Sequence, residues 1–180
     1  MVSPTKLLLV ESPLTFVQFT QSRPSALVDP MTSETTAYGL LRRAQTPSIP
    51  HCYGRIKPLQ ISELLPDVDL ARYAPVFSER LAENGGYCAA LLIEDLPGVP
   101  ATAETLTPRV LEKALQALAG IHAAGVLHFD IAPRNLLVSQ DGESVWWIDF
   151  DVSRNSVEWV IDDVEWGQEM ARAEQELKDF

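Results

Sequence analysis

The stretch from His128 to Asp151 constrains this chain more than any other part of its sequence. It places Asp130 and Asn135 in one loop, and it places Asp149 at the end of an apolar strand that follows a turn. Phosphoryl transfer needs such a set of side chains. One carboxylate must orient or deprotonate the attacking hydroxyl, while an amide and a second carboxylate hold Mg²⁺ on the phosphates. The spacing therefore predicts a site for phosphoryl transfer.

The same stretch resembles the catalytic and metal-binding loops of protein kinases, whose patterns are H-R-D-L-x-x-x-N and D-F-G. The matching residues are His128, Asp130 and Asn135, followed by the pair Asp149-Phe150. The resemblance implies that Asp130 is the catalytic base and that Asn135 and Asp149 are Mg²⁺ ligands. It also implies that His128 packs the loop.

Three other positions extend this likeness. Arg134, four residues after Asp130, stands where tyrosine kinases carry an arginine near the acceptor hydroxyl. The segment Glu94-Asp95-Leu96 resembles the hinge that binds adenine through backbone groups, with an ordinary strand-to-loop turn as the alternative. Glu34 stands where kinases place the glutamate that pairs with a strand lysine, with a solvated helix side chain as the alternative.

On these motifs the chain is identified as a member of the protein kinase-like superfamily, which implies an α+β, bilobal fold. Residues 1–95 are expected to form a reduced N-lobe, an antiparallel sheet with one helix, that ends in the hinge. Residues 96–180 are expected to form a shortened, mainly helical C-lobe that carries the catalytic and metal-binding loops. ATP and Mg²⁺ are the implied cofactors.

Several departures from the kinase pattern bear on activity. No glycine-rich phosphate loop occurs near the N-terminus, and Gln18 occupies the position of the phosphate-anchoring lysine. A neutral amide cannot supply that positive charge, for which Lys6 is the candidate substitute. Phe129 replaces the arginine that grips a phosphorylated activation loop in many kinases, so regulation of that kind is not expected. Asp151 replaces the glycine of D-F-G, either as a further metal ligand or as a turn residue.

Three functions remain open on these grounds. The leading prediction is a phosphotransferase that moves the γ-phosphoryl group of ATP to a protein Ser, Thr or Tyr hydroxyl. Gln18 and the missing glycine loop favour a pseudokinase or kinase fragment that acts as a binding module. Asp151 favours a small-molecule kinase that resembles aminoglycoside or choline phosphotransferases. Because only 29 residues follow Asp151, the chain resembles the compact kinase-like proteins of fungi and equally a truncated gene.

The charge balance argues against two classes of partner. The chain has 25 acidic and 14 basic residues and a net charge of −11, which disfavours binding to nucleic acid or to a membrane surface. The late acidic run, which includes Glu169, is predicted to be a solvated helix face. Two cysteines, Cys52 and Cys88, are too few for a disulfide framework, and no signal-peptide pattern is present. We therefore expect a cytoplasmic or nuclear protein.

The clearest element is a helix from Thr107 to about Ala124, with Thr107 as its N-cap and Gly125 as its stop. An earlier helix is predicted from an N-cap at Ser33 to about Ala44, and a final acidic helix covers about 162–178. The histidine of the long helix, His122, is predicted to be a core or hinge residue rather than a base. Short strands are predicted at Lys6–Val10, Thr15–Phe19, Ile49–Pro58, Tyr87–Glu94, Val126–Leu127, Asn135–Val138 and Val145–Ile148.

Overall fold

A computed structural model describes residues 16–19, 30–60 and 87–180 of the chain. The predicted strand Lys6–Val10 and the candidate Lys6 lie outside these ranges. The described helices are α1 (Pro30–Arg43), α2 (Pro108–Ala123) and α3 (Asp163–Asp179). The described strands are β1 (Phe16–Phe19), β2 (Cys52–Gln60), β3 (Tyr87–Ile93), β4 (Gly98–Pro100), β5 (Val126–Leu127), β6 (Leu136–Ser139), β7 (Val145–Trp147) and β8 (Arg154–Asn155).

The first sheet is antiparallel with the strand order β1-β3-β2, and α1 packs against it. The predicted N-cap at Ser33 is wrong, because α1 begins at Pro30 and buries Ser33 within its first turns. A proline suits the first helical position, since its fixed φ is already helical and its missing N–H would have no intrahelical partner. The helix buries Ala37, Tyr38 and Leu41 in the core.

The helix predicted from Thr107 is confirmed as α2. The Thr107 side chain accepts a hydrogen bond from the Val110 backbone N–H at 3.3 Å, and Gly125 follows the helix with φ +80°, which favours glycine. Its buried stripe packs on β7 and α3, where the indole N–H of Trp147 donates to the Ala114 carbonyl at 3.0 Å. The stripe consists of Val110, Ala114, Ala117, Leu118 and Ile121.

Two further antiparallel sheets follow α2. One has the order β4-β6-β7, and the other is the pair β5-β8, in which Leu127 lies opposite Arg154. Strands β4 and β8 were not predicted, because elements of two or three residues carry no hydrophobic periodicity. The β5-β8 pair matters for the site, since it joins the strand before His128 to the segment after Phe150.

Helices and small antiparallel sheets therefore make up the α+β fold of the protein kinase-like class that the sequence predicts. The division into lobes at residue 95 stays a prediction. None of the described helices is both long and apolar enough to cross a membrane.

Candidate active site

The loop after β5 holds the Asp130 carboxylate through two neighbouring side chains. Arg134 Nη2 donates to Asp130 Oδ1 at 2.8 Å and to Oδ2 at 2.6 Å. Asn135 Nδ2 donates to Asp130 Oδ2 at 2.9 Å and to the Asp130 carbonyl at 3.0 Å. A 3-10 turn, Pro133–Asn135, places both donors on the carboxylate. The Asp130 side chain is 31% exposed, so the carboxylate held by these donors is partly open to solvent.

Asn135 is buried and oriented by the same contacts. Its side-chain hydrogen bonds to described residues both run through Nδ2, so Oδ1 remains as an oxygen donor towards a ligand. Its backbone carbonyl accepts from the Ile148 N–H at 2.9 Å. This bond ties the loop of Asp130 to the residue that precedes Asp149.

Asp149 is buried at the end of the strand segment that begins with β7, with φ +71°. Aspartate tolerates this left-handed conformation better than most residues. The next residue, Phe150, is fully buried, and its ring lies 4.6 Å from the His128 ring and 5.3 Å from the Tyr38 ring. Asp151 is half-buried in the turn that follows. The packing of the Phe150 ring therefore fixes the backbone conformation of Asp149 and Phe150, the predicted metal-binding pair.

An amide oxygen and a carboxylate form the hard oxygen donor set that suits Mg²⁺, so Asn135 and Asp149 fit the implied metal chemically. Within the described ranges, no group of three or more His, Cys, Asp or Glu side chains could hold a metal ion. A Mg²⁺ ion here would share its coordination with phosphate oxygens.

His128 packs the loop, as the resemblance implies. It is fully buried, and its Nε2 lies 2.9 Å from the Ile148 carbonyl, so Nε2 carries the proton and donates it. Burial lowers the pKa of His128 below its ordinary value and outweighs the opposing charges of Glu169 and Asp130. The imidazole is therefore neutral, and it links the loop that carries Asp130 to the strand that leads to Asp149.

Glu169 on α3 is a site residue that the sequence reasoning missed, and the predicted solvated face is wrong at this position. Its side chain is only 7% exposed. Oε1 accepts from the Phe129 N–H at 2.6 Å, and Oε2 accepts from the His128 N–H at 3.0 Å. His122 Nε2 lies 2.6 Å from the same Oε2, so the predicted core histidine is half-buried and paired.

A signal for Glu169 was present in the sequence. Glu169, Ala173 and Leu177 recur every four residues, and these are the buried residues of α3. An acid on an apolar stripe is expected to find partners, because burying an unpaired carboxylate is costly. Its partners here are the backbone N–H groups of the catalytic loop, which are strong, charge-assisted donors.

Acid is expected to destabilise the protein in two steps. Burial lowers the pKa of His128 from 6.5, so below about 6.5 only the unfolded chain takes up that proton. Burial raises the pKa of Glu169, but the hydrogen bonds from His122, Phe129 and His128 outweigh it and lower the pKa from 4.5. Below about 4.5 the unfolded chain again binds more protons, and stability falls further.

Urea unfolding from pH 8 to pH 4 checks this prediction. The free energy of unfolding should fall below about pH 6.5 in the wild type, with a shallower slope in His128→Gln. The additional loss below about pH 4.5 should shrink in Glu169→Gln. Wild-type and variant slopes that coincide across both ranges would contradict the assignment of a neutral histidine and an ionised glutamate.

Helix α1 brings two more polar side chains to the site. Glu34 is fully buried, which excludes a solvated role for it. The Tyr38 hydroxyl is buried without a hydrogen-bond partner among the described residues. Burial raises the Tyr38 pKa most, with the charges of Glu34, Cys52 and Asp149 adding to the rise. Tyr38 is therefore neutral, and its ring packs against Phe150, the residue next to the predicted metal ligand. No sequence motif pointed to it.

The predicted hinge residues have local partners. The Glu94 N–H donates to the His51 carbonyl at 2.8 Å, and Glu94 Oε2 accepts from the His51 N–H at 3.0 Å. The Leu96 carbonyl accepts from the Gly98 N–H at 2.8 Å. The two bonds between Glu94 and His51 join the end of β3 to the start of β2. Gln18 lies in β1 opposite Leu91 of β3. Direct side-chain contacts thus join Asp130, Arg134 and Asn135, whereas Glu94 and Leu96 bond to residues outside that set.

Comparison with known proteins places these motifs in a family context. The model of the lipopolysaccharide kinase (Kdo/WaaP) family matches residues 59–165, more than half of the chain, and this range includes Asp130, Asn135 and Asp149. The structure of the Cydia pomonella granulovirus kinase PK-1 aligns over 78% of the chain with 12% identity and a TM-score of 0.47. The chain spans less than half of that kinase, 43%. No curated protein matches the sequence.

Proposed function

The chain belongs to the lipopolysaccharide kinase (Kdo/WaaP) family, and from this premise we propose that it transfers the terminal phosphoryl group of ATP to a hydroxyl. The observation that carries the proposal is the hydrogen-bonded set of Asp130, Arg134 and Asn135, with donor–acceptor distances of 2.6–3.0 Å. In such reactions catalysis is almost entirely positioning and charge stabilisation. Asp130 orients the acceptor hydroxyl and takes its proton.

The remaining predicted residues bind the nucleotide in this proposal. Asn135 Oδ1 and the Asp149 carboxylate hold Mg²⁺, with Asp151 as a further ligand. The bound ion supplies neutralisation of the charge on the phosphates. The backbone of Glu94 and Leu96 receives the adenine, because the Glu94 carbonyl and the Leu96 N–H hydrogen bond to no described residue. Glu34 and Gln18 take the places of the kinase glutamate and the phosphate-anchoring lysine in this proposal.

A sugar hydroxyl is the acceptor we propose, in preference to the protein Ser, Thr or Tyr hydroxyl predicted from sequence. The family is named for kinases of lipopolysaccharide. The saccharide part of such a molecule is the part that is rich in hydroxyl groups. The segment between Phe150 and α3 is also short and folded on itself, with Asn155 Oδ1 accepting from the Val157 and Glu158 N–H groups at 3.1 and 3.0 Å. Such a segment offers little extended surface for a peptide.

A pseudokinase is the second candidate, and Gln18 favours it. The residue occupies the predicted lysine position in β1, where an amide cannot neutralise phosphate charge. A protein of this kind would bind ATP without transferring its phosphoryl group. Nucleotide binding and transfer must therefore be measured separately.

Binding is measured as the thermal shift that ATP produces with and without Mg²⁺. Ligand at about 100 times its Kd stabilises the folded state by about 2.7 kcal/mol, which is a shift of several degrees for a domain of this size. We expect the metal-dependent part of that shift to disappear in Asp149→Asn. Asp163→Asn makes the same chemical change at an exposed position on α3 and should keep the full shift.

Transfer is measured as ADP release and phosphorylated product with a panel of sugars and a generic protein acceptor. Phosphorylation of a sugar supports the proposal. Phosphorylation of the protein acceptor alone would instead support the protein Ser, Thr or Tyr hydroxyl that was predicted from sequence. ATP binding without any transfer supports the pseudokinase. A wild type that ATP does not stabilise, with or without Mg²⁺, would rule out both.

A further inference from the structure

Arg154 joins three parts of the molecule that meet beside the site. Its guanidinium carbon lies 4.3 Å from the centroid of the Phe129 ring in the catalytic loop and 4.9 Å from that of the Trp159 ring. Its Nη1 lies 3.5 Å from Glu165 Oε1, in the first turn of α3. One cation therefore contacts the catalytic loop, the segment that follows Phe150 and the final helix.

The backbone around Arg154 is tied to the catalytic loop at the same place. In the β5-β8 pair, Asn155 lies opposite Val126, and the Ser156 N–H donates to the Gly125 carbonyl at 2.8 Å. The approach is so close that a Cβ at Gly125 would overlap the Ser156 hydroxyl. The segment 151–161 thus lies directly against the chain that leads into His128.

Phe129 is the residue through which this contact reaches the catalytic carboxylate. It precedes Asp130, its N–H is bonded to Glu169, and its φ is +69°. Phe129 is 40% exposed, and the guanidinium lies over one face of its ring. A cation over an aromatic ring contributes about 0.5–1 kcal/mol at exposed sites and about 2 or more when desolvated. Two aromatic rings and one carboxylate therefore hold the Arg154 guanidinium in place. We call the contact between Arg154 and Phe129 the clamp.

The chemistry of this contact is the reverse of the one found in many protein kinases. In those kinases, an arginine of the catalytic loop binds a phosphate on the activation loop that follows it. Here, the loop carries the aromatic residue and the segment carries the cation. A positive charge that is part of the chain needs no added phosphate to make the contact.

We propose that Arg154 is a positioning residue, which holds segment 151–161 on Phe129 and so keeps Asp130 in its transfer-competent place without phosphorylation. The kinetic consequence rests on the proposed function. The structural consequence does not, because the clamp orders the segment whether or not phosphate is transferred. The kinetic consequence and the structural consequence can therefore be tested separately.

The test compares substitutions at both ends of the contact. Arg154→Met keeps the aliphatic stem and removes the charge; it should raise hydrogen exchange of segment 151–161 at least about tenfold and lower kcat about tenfold. The KM for ATP should stay within about twofold. Arg154→Lys retains a cation and should keep kcat within about threefold of the wild type. Arg172→Met is the matched control, since Arg172 pairs with Glu176 on the exposed face of α3.

A second experiment exchanges the charges across the contact and distinguishes the outcomes more clearly. Phe129→Arg places two cations together and should loosen the segment as Arg154→Met does. Adding Arg154→Glu to Phe129→Arg creates an ion pair and should restore exchange and kcat to within about threefold of the wild type. Enzyme treated with phosphatase should keep its kcat, because neither Ser153 nor Ser156 needs to carry a phosphate.

Each outcome decides the proposal. Exchange in Arg154→Met equal to that in Arg172→Met overturns the clamp, and so does a double variant that folds without recovery. Loss of kcat on phosphatase treatment overturns independence from phosphorylation. A wild type that transfers no phosphate, together with faster exchange in Arg154→Met and recovery in the double variant, supports the clamp and rejects the proposed activity.

Discussion

Replacing Asp130 by asparagine is expected to reduce phosphoryl transfer by about 10²–10⁴-fold while ATP affinity stays within about twofold. The substitution keeps the shape of the side chain and one oxygen that can accept from Arg134 and Asn135. It removes the second oxygen, which orients the acceptor hydroxyl and takes its proton in the proposed reaction. The measurements are kcat with saturating acceptor and the Kd of Mg²⁺–ATP by calorimetry.

Asp163→Asn serves as the control for this experiment, since it removes one carboxylate from an exposed helix turn and should leave both quantities unchanged. Stability should also be nearly unchanged in Asp130→Asn, because the ion pair with Arg134 is partly exposed, at 53% and 31% for the two side chains. Exposed pairs contribute about 0–1 kcal/mol. A kcat within threefold of the wild type would exclude Asp130 as the orienting carboxylate.

Glu169→Ala is expected to give the largest loss of stability, about 3–5 kcal/mol, by leaving three buried or half-buried donors without their acceptor. These donors are the His122 imidazole and the N–H groups of His128 and Phe129. Each donor left unsatisfied costs about 1–3 kcal/mol. Urea unfolding followed by circular dichroism measures the change.

The conservative variant Glu169→Gln retains one acceptor oxygen and should lose less stability than Glu169→Ala. Glu174→Ala is the matched control on the same helix, because its partner Lys178 is exposed and the pair contributes about 0.3–0.5 kcal/mol. If Glu169→Ala unfolds within 1 kcal/mol of Glu174→Ala, the buried carboxylate does not stabilise the loop. The remaining site could then be explained by local turn chemistry alone.

Much of the local structure followed from sequence patterns alone. The α2 helix was predicted because Thr107, Pro108 and Gly125 are local start and stop signals, and its apolar period survives in any context. Boundaries were less secure, as the start of α1 at Pro30 shows. Short strands such as β4 and β8 form only because a neighbouring strand pairs with them, so no local signal exists.

The order of Asp130, Arg134 and Asn135 along one loop sufficed to predict a site, because a span of six residues brings their side chains together through local turn geometry. The same motifs indicated the protein kinase-like superfamily, whereas the lipopolysaccharide kinase (Kdo/WaaP) family came from comparison with known proteins. Tertiary structure alone decided which distant side chains support that loop. Glu169 and Arg154 reach Phe129, and Tyr38 reaches Phe150, in each case across more than twenty residues of chain. For Arg154 the contact with Phe129 depends on the pairing of β5 with β8.

The physical reason for this division is the range of the forces involved. Capping, turns and helical periodicity act between residues a few positions apart, so a single sequence displays them. Burial of a carboxylate or a guanidinium depends on which surfaces meet, and the cost of burial is offset only by partners that folding delivers. An acidic residue such as Glu169 therefore becomes a buried anchor or a solvated side chain according to the helix face that packing selects.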